Sequence, residues 1–141
     1  VSFGATHAIN LSRQDLPAVV RSLTAGRGAD YVFVTVGSVP AITAGIGLLR
    51  RSGTCVVVGM PAMGIKMNFE ALDFADKGQT IIGSKMGSAR LPIDVPNLVE
   101  LYENKRLRLD ELVSARYPLD EINEAVAMVK SGSALRNVIV F

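Results

Sequence analysis

The sequence predicts an α/β fold: a parallel sheet with flanking helices, followed by a helical segment and a terminal strand. Strand-type and helix-type patterns alternate as far as about residue 86, the grammar of β–α–β units with right-handed crossovers. The strand runs "DYVFVTV", "TCVVVGM" and "TIIGSKM" are apolar or β-branched at most positions, as in strands covered on both faces. Of the 141 residues, 49% are hydrophobic and 20% charged, enough apolar material for one sizeable core.

The first element is a short β-type run, "THAIN", at residues 6–10. Ser12 and Asp15 have capping-box spacing, and Leu16, Val19, Val20 and Leu23 repeat on one helical face, predicting a helix that Gly26 and Gly28 stop. The run at 30–36 is expected to form a central strand. Ser38 can cap the next helix, and Pro40 fits its first turn, where a missing N–H costs little. That helix is expected to reach about Arg51, with Ile42, Ile46 and Leu49 as its stripe and Ser52-Gly53 as its stop.

A second buried strand is predicted at 54–60, after which Pro61 and Gly64 open a loop. Asn68 can cap a short helix through Lys77 that Gly78 ends, and a third strand follows at 80–86. Parallel connections gather the positions after each strand, Gly37-Ser38, Gly59-Met60 and Met86-Gly87, on one rim. Beyond Arg90 the pattern changes to two helices, near 92–104 and 119–131. The second carries Ile122, Ala125, Val126 and Val129 in register and stops at Gly132. "RNVIVF" closes the chain as a strand, and the change of pattern divides it into units 1–86 and 87–141.

The formal charge of +2 is spread along the chain, which argues against nucleic acid or a membrane surface and leaves small molecules as partners. Asp30, Gly37, Ser38 and Pro40 break the most apolar stretch, so it is no membrane span. The single cysteine, Cys55, lies in an apolar run; it reads as a buried, inert thiol and suits the cytoplasm. One Cys and one His, His7, cannot build a zinc site of the Cys/His kind, and His7 reads as structural or superficial. Glu100, Glu103, Asp110, Glu111, Asp120, Glu121 and Glu124 read as solvated faces, so no catalytic residue is assigned.

Phosphate-binding fingerprints are missing too: Gly26-Arg27-Gly28 and Gly45-Ile46-Gly47 lack the third glycine of G-x-G-x-x-G. What remains is a set of backbone-rich loops suited to a planar, amide-bearing ligand, or glycines that merely serve turns. Arg136, just before the last strand, can hold a phosphate bidentately or form a surface ion pair. The opening Val-Ser-Phe-Gly, without methionine, suggests the tail of a longer protein.

"GATHAIN", "GADYVFVTVGS", "GTCVVVGMP", "TIIGSKMGS" and "SGSALRNVIVF", in this order, together resemble the C-terminal portion of zinc-type medium-chain alcohol dehydrogenases. The resemblance covers essentially the whole chain. It implies that 1–86 is the later part of a Rossmann NAD-binding domain, a partial Rossmann-type parallel sheet, and that 87–141 returns to the catalytic domain. It further implies that Val36, Gly37 and Ser38 line the adenosine side of NAD and that Val58, Gly59 and Met60 approach the nicotinamide. Ser84, Lys85 and Met86 would serve its carboxamide through backbone groups, and Arg136 would contact the pyrophosphate.

The resemblance places zinc and its ligands upstream of this chain, together with the glycine fingerprint and the acidic residue that would select NAD over NADP. By itself the chain should then be inactive. In the intact enzyme the substrate would be a primary alcohol or aldehyde, and strand 80–86 would join two subunits into a homodimer. Lys85 and Met60 stand near where the family often presents apolar, substrate-facing side chains. Other readings are a zinc-free quinone or enoyl reductase of the same superfamily, and a stand-alone nucleotide-binding regulatory module.

Overall fold

Helix α1 (Leu16–Leu23) begins where the Asp15 carboxylate accepts the Ala18 N–H at 3.0 Å, so the cap is Asp15 and not Ser12. The computed structural model describes residues 3–141, and the chain divides after Ala89 into two compact units. Ser12 belongs instead to a turn that Asn10 organises. Asn10 Oδ1 accepts from the Ser12 N–H at 3.0 Å and its hydroxyl at 2.7 Å, and Gln14 Oε1 accepts the Asn10 N–H at 2.9 Å. The run 6–10 is no strand, and none of the described strands pairs with it. Its last residue is committed to a side-chain-directed turn that competes with ladder formation.

The first unit continues with β1 (Ala29–Val34), α2 (Val39–Gly47), β2 (Leu49–Val57), α3 (Ala71–Lys77) and β3 (Thr80–Gly83). The strands form one parallel sheet in the order β1-β2-β3. The core is Val34, Ile42, Leu49 and Cys55, with Val32, Ile46, Val57 and Ile81 among the residues packed around it. The central strand is therefore β2, and Cys55 at its middle is fully buried. β1, expected at the centre, stands at an edge. Val32 and Val34 lie against Gly45 of α2, whereas Tyr31 and Phe33, on the alternate positions, remain about two-thirds exposed at 66% and 64%.

Several boundaries move for identifiable reasons. α2 stops at Gly47 with Leu48 as its cap, and buried Leu49 already opens β2, so the helix does not reach Arg51. Ser52 does leave regular geometry, at φ 58°, but inside β2. There the register passes from Ala29↔Leu49 to Tyr31↔Thr54, one residue of β1 facing four of β2, so the predicted turn is a bulge. Glu70, not Asn68, precedes α3, and Gly78 ends it in the left-handed region at φ 58°. β3 ends at Gly83, so Ser84, Lys85 and Met86 lie beyond the strand, and Lys85–Ser88 turns tightly with Met86 at φ 51° and Gly87 at φ 70°.

The second unit holds α4 (Leu91–Glu103), β4 (Val113–Pro118), α5 (Ile122–Lys130) and β5 (Arg136–Val140). β4 and β5 pair in parallel, from Val113↔Arg136 to Pro118↔Val140. β4 was not expected from the sequence: Ser114, Arg116 and Pro118 interrupt its apolar positions, in an alternating half-buried pattern. The 119–131 helix divides into a 3₁₀ turn, Leu119–Glu121, and α5 proper. Gly132 follows at φ 72°. Among the described residues no helix is long and apolar enough to cross a membrane.

Candidate functional site

The register aligns Val34 with Val57 and Val57 with Gly83, so the chain leaves all three strands side by side at one rim of the sheet. Two of the exits interlock. A Cβ on Gly37 would lie 2.2 Å from the Met60 carbonyl oxygen, and one on Gly59 would lie 2.2 Å from the Val36 carbonyl carbon. Neither position admits any side chain without displacing backbone.

Backbone bonds secure the crossing. The Val58 and Gly59 N–H groups both donate to the Val34 carbonyl at 2.9 Å, the Ser84 N–H donates to Val57 O at 2.9 Å, and the Ser38 N–H donates to Val36 O at 2.9 Å. These donors are spent on holding the rim. The open groups belong to the next peptides, including the first N–H groups of the Lys85–Ser88 turn, which no carbonyl of that turn can reach.

An open hollow between the second and third exits gathers Val58, Gly59, Met60, Ser84 and Lys85 from the residues singled out in the sequence. Val36 and Gly37 touch it through the interlock, Ser38 sits at the start of α2, and Met86 lies in the adjoining left-handed turn. Arg136 is in the second unit, exposed at the start of β5. The hollow also takes in Pro61, Met63 and Ser88, which the sequence reading passed over. Pro61 directly follows Met60, and that adjacency was the available signal.

The walls of the hollow are mainly apolar, and Lys85 is the one charged residue lining it among the described residues. Such a surface binds by shape and backbone groups and offers no acid–base pair. Cys55, in the layer beneath, is no nucleophile, since burial pushes its thiol above the ordinary range. His7 is exposed and its Nδ1 lies 3.1 Å from the Thr6 hydroxyl. The hollow lies at the C-terminal rim of the parallel sheet, the end at which open α/β sheets receive their ligands.

The family model for zinc-binding dehydrogenases matches residues 1–104. The chain belongs to this family. A benzyl alcohol dehydrogenase from Acinetobacter calcoaceticus superposes with a TM-score of 0.89 at 34% identity, over 96% of this chain and 37% of that one. An alcohol dehydrogenase zinc-binding domain protein from Burkholderia ambifaria gives a TM-score of 0.88 at 37% identity, over 96% and 36%. The NDMA-dependent alcohol dehydrogenase of Amycolatopsis methanolica is 32% identical over 145 residues, 99% of this chain and 38% of that protein.

The chain thus spans less than two-fifths of the length of these relatives. Within this oxidoreductase family its parallel sheet is a partial Rossmann-type sheet. Zinc is a separate matter. Among the described residues no three His, Cys, Asp or Glu side chains are grouped to hold a metal ion, so this part of a zinc-binding dehydrogenase does not fit a zinc centre of its own.

Proposed function

We propose that this chain forms the later part of the nucleotide-binding domain of an NAD-linked alcohol dehydrogenase, followed by a segment that returns to the catalytic domain. The boundary expected at 86/87 falls in the Lys85–Ser88 turn. The observation that carries the reading is the interlock of Gly37 with Met60 and of Gly59 with Val36 at the strand exits. It locks the two loops against each other at the rim, so that their backbone borders the hollow in a fixed position. On this reading Val36, Gly37 and Ser38 border the adenosine side, and Val58, Gly59 and Met60 border the nicotinamide.

NAD, when bound, would supply the hydride acceptor for an alcohol and, in its reduced form NADH, the hydride donor for an aldehyde. The chain's own task is positioning. The Ser84 N–H is given to Val57 O; on this reading the Ser84 carbonyl and the Met86 N–H would serve the carboxamide and so fix the face of the ring. Met60 and Pro61 shield that face from water. Arg136, on the resemblance, contacts the pyrophosphate. We assign zinc, with its ligands, to residues outside this sequence, and take a primary alcohol or aldehyde as substrate.

Among the described residues β3 has a strand neighbour on one side only, and Ile82 is 49% exposed, which supports pairing of this edge with a second copy. The strand is shorter than the 80–86 run expected from the sequence. Calorimetry on the intact protein tests the cofactor reading. Arg136→Ala is expected to weaken NAD binding by about 1.5–3 kcal/mol, the worth of a charge-assisted bond to phosphate. An unchanged affinity would remove Arg136 from the site.

A further inference from the structure

The end of the sheet opposite the rim holds a second cavity, of about 210 Å³. The two Gly-x-Gly segments that failed as a nucleotide fingerprint meet there. Gly26, Arg27 and Gly28 form one wall, and Gly47 with the start of β2 forms another. Gly28 is left-handed at φ 93°, and its ideal Cβ would lie 2.8 Å from Leu48 O and 2.9 Å from Arg50 N, so the turn packs tightly against the opening of β2. The Gly28 N–H donates to the Thr24 hydroxyl at 3.0 Å and the Arg27 N–H to Thr24 O at 3.1 Å. Arg27 is therefore carried on a built turn.

Among the described residues five cationic ones, Arg21, Arg27, Arg50, Arg51 and Lys77, line this cavity and no acidic one does. Three carboxylates stand behind them: Asp30 on Arg50, Asp76 on Arg51 at 3.0 Å and Asp73 on Lys77 at 2.7 Å. Helix C-termini favour cations, which accounts for Arg21 and Lys77 in the last turns of α1 and α3. It does not account for Arg27, Arg50 and Arg51, which lie on no helix. Arg27 forms no ion pair within 4.0 Å among the described residues, although its charge also helps to hold the Asp30 carboxyl down. Arg50 and Arg51 are held by Asp30 and Asp76 with N–H groups to spare, Nη2 on Arg50 and Nε on Arg51.

We propose that this cavity binds a compact oxyanion of the phosphate or diphosphate class, at a site separate from the cofactor rim. Guanidinium groups suit phosphate oxygens because their planar donors match them in pairs. Size decides against a whole nucleotide, since pockets for larger organic ligands run to roughly 300–1,000 Å³.

The test is calorimetry on the intact protein with inorganic phosphate and pyrophosphate, against sodium chloride at matched ionic strength. Saturable uptake is expected, weakened about tenfold by Arg27→Gln and by Arg51→Gln, with NAD affinity unchanged in Arg27→Gln. Near-UV circular dichroism identifies a variant that fails to fold, in which case the other decides. Heats no larger than those of chloride, or uptake unaltered in a folded variant, overturn the proposal. So does a parallel loss of NAD binding, which would assign the arginine to the cofactor rim instead.

Discussion

Both units are built from parallel strands and helices, yet they bury very different cores. The first closes Val34, Ile42, Leu49 and Cys55 into a cluster with a half-buried ring around it. In the second, Ala125 alone among the described apolar residues is buried, and Val126 and Val129 of α5 stay 45% and 55% exposed. Asn137 donates to Ala125 O at 2.8 Å while its own Oδ1 is buried without a partner. A two-stranded parallel sheet is marginal by itself, because such sheets depend on cover over both faces. The contrast separates a region that carries its own core from one whose apolar faces await cover.

The contrast would be broken most sharply at the interlock. Gly59→Ala places a methyl 2.2 Å from the Val36 backbone, and overpacking against backbone is expected to cost about 3 kcal/mol or more in urea unfolding. A wild-type midpoint would show that the two loops separate freely. Next comes Cys55→Ser, which puts a hydroxyl into a fully buried site; a loss of about 2 kcal/mol is expected by the same assay. In the second unit the exposed Val129→Ser should change the stability of this chain by less than about 0.5 kcal/mol. A larger loss would show that this face of α5 is covered in the protein measured.

The smallest effect concerns pH. The hydrogen bond from Arg51, and then its charge, hold the Asp76 carboxyl below the ordinary carboxylate range, and Arg50 does the same for Asp30. Both acids are lower in the folded than in the unfolded chain. Their contribution is thus present at neutral pH, above the unfolded value, and disappears as pH falls through the lowered folded values. NMR titration of Asp76 should show the displacement relieved by Arg51→Gln; a curve unchanged by that substitution would discard the pair as its cause.

These regions were unequally legible in the sequence. Strands packed around Cys55 announce themselves because nearly every position is apolar, a signal that needs no partner to interpret. β4 has no such run: Ser114 and Arg116 alternate with Val113 and Ala115, and six residues of that pattern also describe a loop. Ser52-Gly53 was read as a helix stop because a bulge and a turn demand the same left-handed residues. Gly37 and Gly59 could be placed on the rim by counting strand ends. That each closes against the loop following the other strand could not be read, since it depends on register, which chain composition does not encode.

The interlock also bears on how such enzymes could be recombined. A loop taken from a relative to replace residues 58–63 would arrive with its own demands on residues 36–37, because Gly37 and Gly59 each face the other segment's backbone. The two loops are inherited as a pair. Chimeras that exchange one alone should misfold at the rim, while those that exchange both should keep the crossing intact, so the cuts belong outside it.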